Sequence, residues 1–371
     1  MRFRLFLILI FFSVFVKASV RDSLQSILDT TKSDIQKIQL YNDIAWTYLN
    51  SDTKKARYYS MKALSLARRN DHEQGMVRSY TNLGNVCFLT GEYPEALENY
   101  MESYKIIEQL GNKDGMASSL MGIGNVYYVQ KDFKEALSYQ RKSLAIRSEI
   151  KDTLGMAACY NNMGGIFIEM EEMDSALYYH FKSLDIKLKI GEHEGLSSSY
   201  GNIGSIFQMQ GKYQKALEFQ EKAMKIRQEV GNKKGLVMSY TDIASIYKAL
   251  KDYNTSLDWQ LKGLALARET NYAEGIKNAM LSISDLYEKM GNKDLAFSYY
   301  KDYTALKDSM FNQQKASLVA EMQERFETEK REKEIEILNA KNELNELQIE
   351  RDARDKQLLM IILGLFLAII A

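Results

Sequence analysis

A glycine recurs every forty residues along most of this chain: Gly75, Gly115, Gly155, Gly195, Gly235 and Gly275. Two further columns keep the same step. One reads Gly84, Gly124, Gly164, Gly204, Ala244 and Ser284; the other reads Ala56, Ala96, Ala136, Ala176, Ala216, Ser256 and Ala296. A fixed period held without a slip marks a solenoid, in which one supersecondary unit cannot bury its apolar face alone and must stack on its neighbours.

Within one unit, Met116 to Gly155, apolar and small residues fall at helical spacing. They are Leu120, Ile123, Gly124 and Tyr127, then Phe133, Ala136, Leu137, Ser143, Leu144 and Ile146. This predicts two helices of about four turns joined near Gln130 to Asp132. Glycine inside a helix costs roughly 1 kcal/mol relative to alanine, so a repeated mid-helix glycine needs a compensating gain. Close approach of the partner helix supplies it, with the alanine column as the small counterpart across the contact. Cys87, Tyr127, Phe167, Phe207, Tyr247 and Tyr287 then fill the space beside the glycines.

The predicted fold is all-α: a solenoid of about seven 40-residue helix pairs over residues 41–305, preceded by a capping helix region at 19–40. Tyr41 to Arg68 is a degenerate first repeat. Well-formed ones start near Met76, Met116, Met156, Leu196 and Leu236, and the pattern fades in the last, near Ile276, at Ser284 and Lys293.

These columns resemble the tetratricopeptide repeat (TPR). Leu83, Gly84, Gly91, Tyr93 and Ala96 match its motif, with Cys87 in place of the first aromatic residue. The unit departs from the common form in being forty residues long. It also lacks the proline that closes the second helix, since Pro94 is the only proline. Glycine loops such as Gly111 to Gly115, Gly191 to Gly195 and Gly231 to Gly235 stand there instead, where a left-handed cap can end a helix. The longer unit is similar to that of kinesin light chains and certain polarity adaptors. The resemblance implies a superhelical array whose first helices line a concave wall.

The two ends read differently. Residues 1–18 carry Arg2 and Arg4, an apolar run from Leu5 to Val16, and small residues at Ala18 and Ser19. This is the pattern of a secretory signal peptide, the rival reading being an uncleaved anchor. Residues 306–357 contain no glycine or proline and alternate in charge, which suits one long helix. Ile337, Ala340, Leu344 and Leu347 are spaced for a coiled-coil seam and a homodimer; a solvated single helix is the alternative. Residues 358–371 are wholly apolar, yet fourteen residues rise only about 21 Å against a hydrocarbon core of about 30 Å. We read them as a transmembrane segment, truncated here, or else a marginal tail anchor.

No catalytic, cofactor-binding or metal-binding constellation emerges. Cys87 and Cys159 sit two repeats apart, beyond disulfide reach, and read as core residues. His72, His180 and His193 have no metal spacing, and His180 falls in a second helix where other repeats place glutamine. Lys and Arg together number 49, as do Asp and Glu, so no net basic character favours nucleic acid.

The candidate site is therefore the groove. Beside the buried stripe of each first helix lies a second stripe: Arg78, Thr81, Asn85 and Phe88, then Met121, Asn125 and Tyr128, then Asn161, then Ser205 and Gln208. Amides interspersed with apolar side chains fit an extended peptide or a neighbouring helix. The competing reading is that the asparagines bond within the array.

The whole arrangement resembles the exported input half of bacterial TPR membrane signalling proteins. In that family a histidine kinase or a helix-turn-helix regulator follows the membrane segment. The resemblance implies a non-enzymatic, membrane-anchored module, periplasmic in a Gram-negative bacterium, that binds a protein or peptide. A longer chain of that kind can carry a kinase. An exported scaffold without signalling output is the alternative.

Overall fold

A computed structural model describes residues 23–192 and 195–370, with side chains only in part beyond residue 313. The expected signal peptide, the start of the capping region, His193 and the side chains of the apolar segment at 358–371 lie outside what is described. Every described element is helical. The chain divides into two units at Tyr272 and Ala273.

In the first unit a short helix, α1 (23–30), precedes six helix pairs. The first helices are α2 (Asp34–Tyr48), α4 (Glu73–Thr90), α6 (Lys113–Val129), α8 (Thr153–Glu169), α10 (Leu196–Met209) and α12 (Lys233–Ala249). Their partners are α3 (Thr53–Arg69), α5 (Tyr93–Gln109), α7 (Phe133–Glu149), α9 (Met173–Ile190), α11 (Tyr213–Glu229) and α13 (Tyr253–Glu269). The second unit holds α14 (Ala273–Lys289) and α15 (Lys293–Ile370). Two expected boundaries fall inside helices. The break at residue 41 lies within α2, and the long helix starts at Lys293 rather than near 306, because nothing between those residues stops it.

Starts and stops explain the period. From Asp71 to Gly291 a residue with left-handed backbone stands every twenty positions, so the stop occurs twice per repeat. Glycine holds only half of these places. Asp71, Lys131, Lys151, Glu171, Lys251 and Asn271 hold the others at φ between 47° and 64°, each against a steric cost of about 1 kcal/mol. Lys131 shows how that geometry is held: its N–H donates to Tyr128 O at 3.0 Å, and the next N–H, of Asp132, reaches Tyr127 O at 2.9 Å. At many of these stops the next residue then caps the following helix, though Glu92, Glu172 and Lys212 make no side-chain cap bond. Asp132 accepts from Glu135 N at 3.1 Å, Asp152 from Gly155 N at 2.9 Å and Asn232 from Gly235 N at 2.8 Å.

Packing assigns the two glycine columns to two interfaces. Gly115, Gly155 and Gly235 lie in the first turns of α6, α8 and α12, not in the loops. A Cβ there would strike Ile107, Arg147 or Arg227 from the preceding second helix at 3.0 Å or less. The mid-helix column meets its own partner helix, but the expected counterpart is corrected. A Cβ on Gly84 would lie 2.7 Å from Tyr100, one on Gly164 2.7 Å from His180, and one on Gly204 3.0 Å from Gln220. The space is taken by a large polar side chain four residues beyond each alanine, and at Gly124 the alanine backbone also comes close, with Ala136 O at 3.3 Å.

The first helices are buried on more faces than the amphipathic pattern implies, since from α4 to α12 each packs on its partner, on the preceding second helix and on a neighbouring first helix. Val86, Val126, Ile166, Ile206 and Ile246 form a fully buried column beside Leu83, Ile123, Met163, Ile203 and Ile243. In the second helices Gln140 and Arg147 are buried where the sequence placed Leu144 and Ile146. Contacts between like helices run through the first helices, α2 to α4, α4 to α6, α6 to α8 and α10 to α12, which puts them on the concave side of this unit. In the second unit Ser284 Oγ donates to Ala296 O at 2.7 Å, and α15 continues for 78 residues. Among the described residues no helix is long and apolar enough to cross a membrane.

Two adjacent glycines provide a test of opposite sign. Gly164→Ala places a methyl against the rigid imidazole of His180 and is expected to lose about 1–3 kcal/mol. Gly165→Ala, whose Cβ meets nothing within 4 Å, is expected to gain about 0.5–1 kcal/mol from helix propensity. Urea denaturation of both variants checks the pair.

Candidate functional site

The groove stripe predicted from the sequence lies on the first helices, and apart from Arg78, which is exposed, its residues are partly exposed. Each also has a role within the array. Arg78 pairs with Asp43 at 2.6 Å. Thr81 Oγ1 donates to Val77 O at 2.9 Å and lies 2.9 Å from Ser103 Oγ. Phe88 meets Tyr93 edge-on, and Tyr128 lies against Phe133. Met121 offers its carbonyl to Gln140 at 3.4 Å.

The amides bond inward. Asn85 Oδ1 accepts from Tyr100 Oη at 2.7 Å. Asn125 Oδ1 accepts from Gln140 Nε2 at 2.9 Å and from Asn162 Nδ2 at 3.2 Å, while Asn161 accepts from Asn202 at 3.3 Å. Ser205 Oγ accepts from Gln220 Nε2 at 3.3 Å, and Gln208 Nε2 donates to Ser245 Oγ at 2.9 Å. Each amide is thus held in one orientation by an internal bond and keeps its remaining capacity toward the groove. Ser205 and Gln208 further line an open recess of about 310 Å³ with Met209, Tyr213 and Ala249.

Two columns of the second helices form the floor; sequence reading noted the first only as a histidine among glutamines, without its burial, and missed the second. The first is Tyr100, Gln140, His180, Gln220 and Gln260, all buried. The second is Arg147, Lys187 and Arg227. Arg147 pairs with Asp152 and donates to Ser118 Oγ at 3.1 Å. Lys187 reaches Gly195 O at 3.3 Å and Ser199 Oγ at 3.1 Å; Arg227 reaches Gly235 O at 3.2 Å and Ser239 Oγ at 2.8 Å. Lys187 and Arg227 each bridge from a second helix to the next first helix, while Arg147 joins its own first helix, α6, to the Asp152 cap of α8. The signal was legible as Arg, Lys, Arg at a forty-residue step, but a basic residue at an apolar helical position reads as surface.

Burial pulls the Lys187 and Arg227 pKa values down. It pushes Asp242 up to about 6, against the attraction of Arg227. His180 falls to about 4, through burial first and then the charge of Lys187. Cys87 and Cys159 are free, buried thiols with raised pKa values. His72 caps α4, its Nδ1 accepting from Gly75 N at 3.0 Å. Among the described residues no three His, Cys, Asp or Glu side chains gather as for a metal.

The profile of the tetratricopeptide repeat family matches residues 75–149, 115–189 and 155–229, and a second tetratricopeptide profile matches 278–309. The chain is a tetratricopeptide repeat protein. No curated protein matches this TPR protein in sequence. Solved structures match it in fold. The apo form of RapI superposes with a TM-score of 0.59 at 14% identity, covering 74% of this chain and 99% of RapI. A Rap protein complexed with Competence and Sporulation Factor gives 0.51 at 14%, covering 80% and 99%. A signal transduction ATPase with a tetratricopeptide repeat sensor from Pyrococcus horikoshii gives 0.55 at 14%, covering 80% of this chain and 49% of that one. At this identity the likeness is one of fold.

The pH dependence has two opposed parts. Folded His180 stays neutral while the unfolded chain takes up its proton below about 6.5, so this group removes stability as pH falls from about 6.5 to about 4. Folded Asp242 takes up its proton near pH 6 while the unfolded chain waits until about 3.8, so this group adds stability over nearly the same interval. Each effect is of the order of 3 kcal/mol. Relative to wild type, His180→Gln should gain stability on acidification from pH 7 to 4, and Asp242→Asn should lose it. Urea unfolding of the three proteins at both pH values measures the differences.

Proposed function

We propose that this protein is a non-enzymatic peptide- or protein-binding module, exported and membrane-anchored, that serves as the input region of a bacterial signal-transduction protein. The observation that carries the binding part is the first-helix wall. It offers partly exposed amides whose orientations are fixed from behind, flanked by Phe88, Met121 and Tyr128, with a recess at Ser205 and Gln208. Pre-oriented groups lose little freedom on binding. That a Rap protein of the same fold has been solved with Competence and Sporulation Factor favours a peptide as the ligand class.

The signalling part draws on α15. Because the second helix of the last pair runs unbroken from Lys293 to Ile370, a change in that pair has a continuous hydrogen-bonded path along the charged stretch. At 1.5 Å per residue this is about 117 Å. Ile337, Leu344 and Leu347 are exposed along it at 60–68%, spaced for a second copy of this chain. Export and anchoring draw on the sequence pattern of residues 1–18 and 358–371. A scaffold that gathers partners without output is the second reading, and it makes no demand on α15.

Two outcomes separate these readings. Gln208→Ala should weaken a peptide selected from a displayed random library by roughly five- to tenfold, the effect of one lost hydrogen bond, measured by calorimetry; unchanged affinity would remove the recess from the site. Ile337→Pro breaks α15 and should leave that affinity intact while abolishing signalling and weakening dimerisation by ultracentrifugation. Signalling that survives this break removes α15 as the transmission path, and a chain in which the break changes no readout fits the scaffold. Protease accessibility of the array in intact cells tests its export.

A further inference from the structure

The floor column that faces the glycines carries a polar tip in every row from α5 to α13, and in three rows that tip meets the groove residue just after the glycine. Tyr100 Oη donates to Asn85 at 2.7 Å, Gln140 Nε2 to Asn125 at 2.9 Å and Gln220 Nε2 to Ser205 at 3.3 Å. In the remaining row of this kind the floor residue is His180. Its Nε2 stands as many bonds from the backbone as the amide nitrogen of glutamine, so it reaches the same level. The groove residue there is Gly165, and it has no side chain to answer.

Three observations meet at this place. His180 is 1% exposed, and neither ring nitrogen has a protein partner among the described residues. A Cβ on Gly165 would have no heavy atom within 4 Å, while Gly165 itself is partly exposed to the groove. A buried polar group left without a partner is costly, and the same framework fills the position with asparagine one and two rows earlier and with serine one row later. With glycine at this place, the His180 tip lacks the side chain that answers it in the rows of Asn125 and Ser205.

We propose that Gly165 and His180 form a carboxamide subsite: an extended peptide in the groove places an Asn or Gln side chain over Gly165 and pairs its amide with the His180 imidazole. The proposal rests on the peptide-groove reading above. A neutral imidazole presents one donor and one acceptor, and a carboxamide presents both in return, so the pairing holds in either tautomer. A carboxylate could only accept and an ammonium could only donate. The ligand supplies in trans what Asn85 and Asn125 supply within the chain.

The test uses the full chain labelled with ¹⁵N-histidine, acetamide as the probe and His180→Gln to assign the resonance. Acetamide should move the His180 ring nitrogens along a saturating curve, and acetate should not. Gly165→Asn, which installs the carboxamide internally, should place His180 at the saturated position before any probe is added and abolish the response. If that variant does not fold, Gly165→Ser replaces it, since serine holds this place in α10. No movement with acetamide, a response only to acetate, or an undiminished response in Gly165→Asn each overturns the subsite.

An array of blocked peptides then separates this proposal from the reading it rests on. A preference of about tenfold for Asn or Gln over Ala at one position, lost in Gly165→Asn, is the expected result. Peptides that bind through Gln208 without this preference overturn the subsite and leave the groove standing. An acetamide response with no peptide bound supports the subsite and overturns the groove.

Discussion

The contact on which this structure depends is a large polar side chain lying against a glycine. Tyr100 on Gly84, His180 on Gly164 and Gln220 on Gly204 set how closely the two helices of a repeat approach. Steric exclusion fixes that distance, and close-packed interiors transmit it to the neighbours. The tips of these side chains are polar and buried, so each must find a partner. Tyr100, Gln140 and Gln220 find it on the groove face, and His180 does not. The helix contact thus determines which residues the groove can display and how they point.

This coupling accounts for the double nature of the groove amides. Asn85 and Asn125 are structural residues by their hydrogen bonds and surface residues by their exposure, and the two descriptions do not compete. An amide has more hydrogen-bonding capacity than one internal bond consumes. The same economy governs the cations below them. Lys187 and Arg227 fasten consecutive repeats through serine hydroxyls and carbonyls, and Arg147 does so through the Asp152 carboxylate. Burying them without such partners would be far more costly than any packing they supply.

The two units pose different problems to the chain. In the first, a left-handed residue every twenty positions and a cap just after it cut the chain into helices short enough to stack. In the second, no such residue follows Gly291 among the described residues, and the helix that begins at Lys293 continues. Its length is a consequence of absent stops, since charged residues of both signs support a helix without requiring burial.

The sequence by itself determined the helical repeat, its forty-residue step and the helix joints. These depend on local spacing and steric size, which a linear pattern records directly. It also showed histidine at 180 where other rows carry glutamine. Only the tertiary structure decided what that difference means. The partner of each glycine, the burial of Gln140 and Arg147, and the unanswered tip of His180 above Gly165 depend on which side chains face one another across helices. A polar residue at a helical position reads as surface until its neighbours are known, and those neighbours come from other helices: the partner helix fifteen to twenty residues back along the chain, and the next repeat.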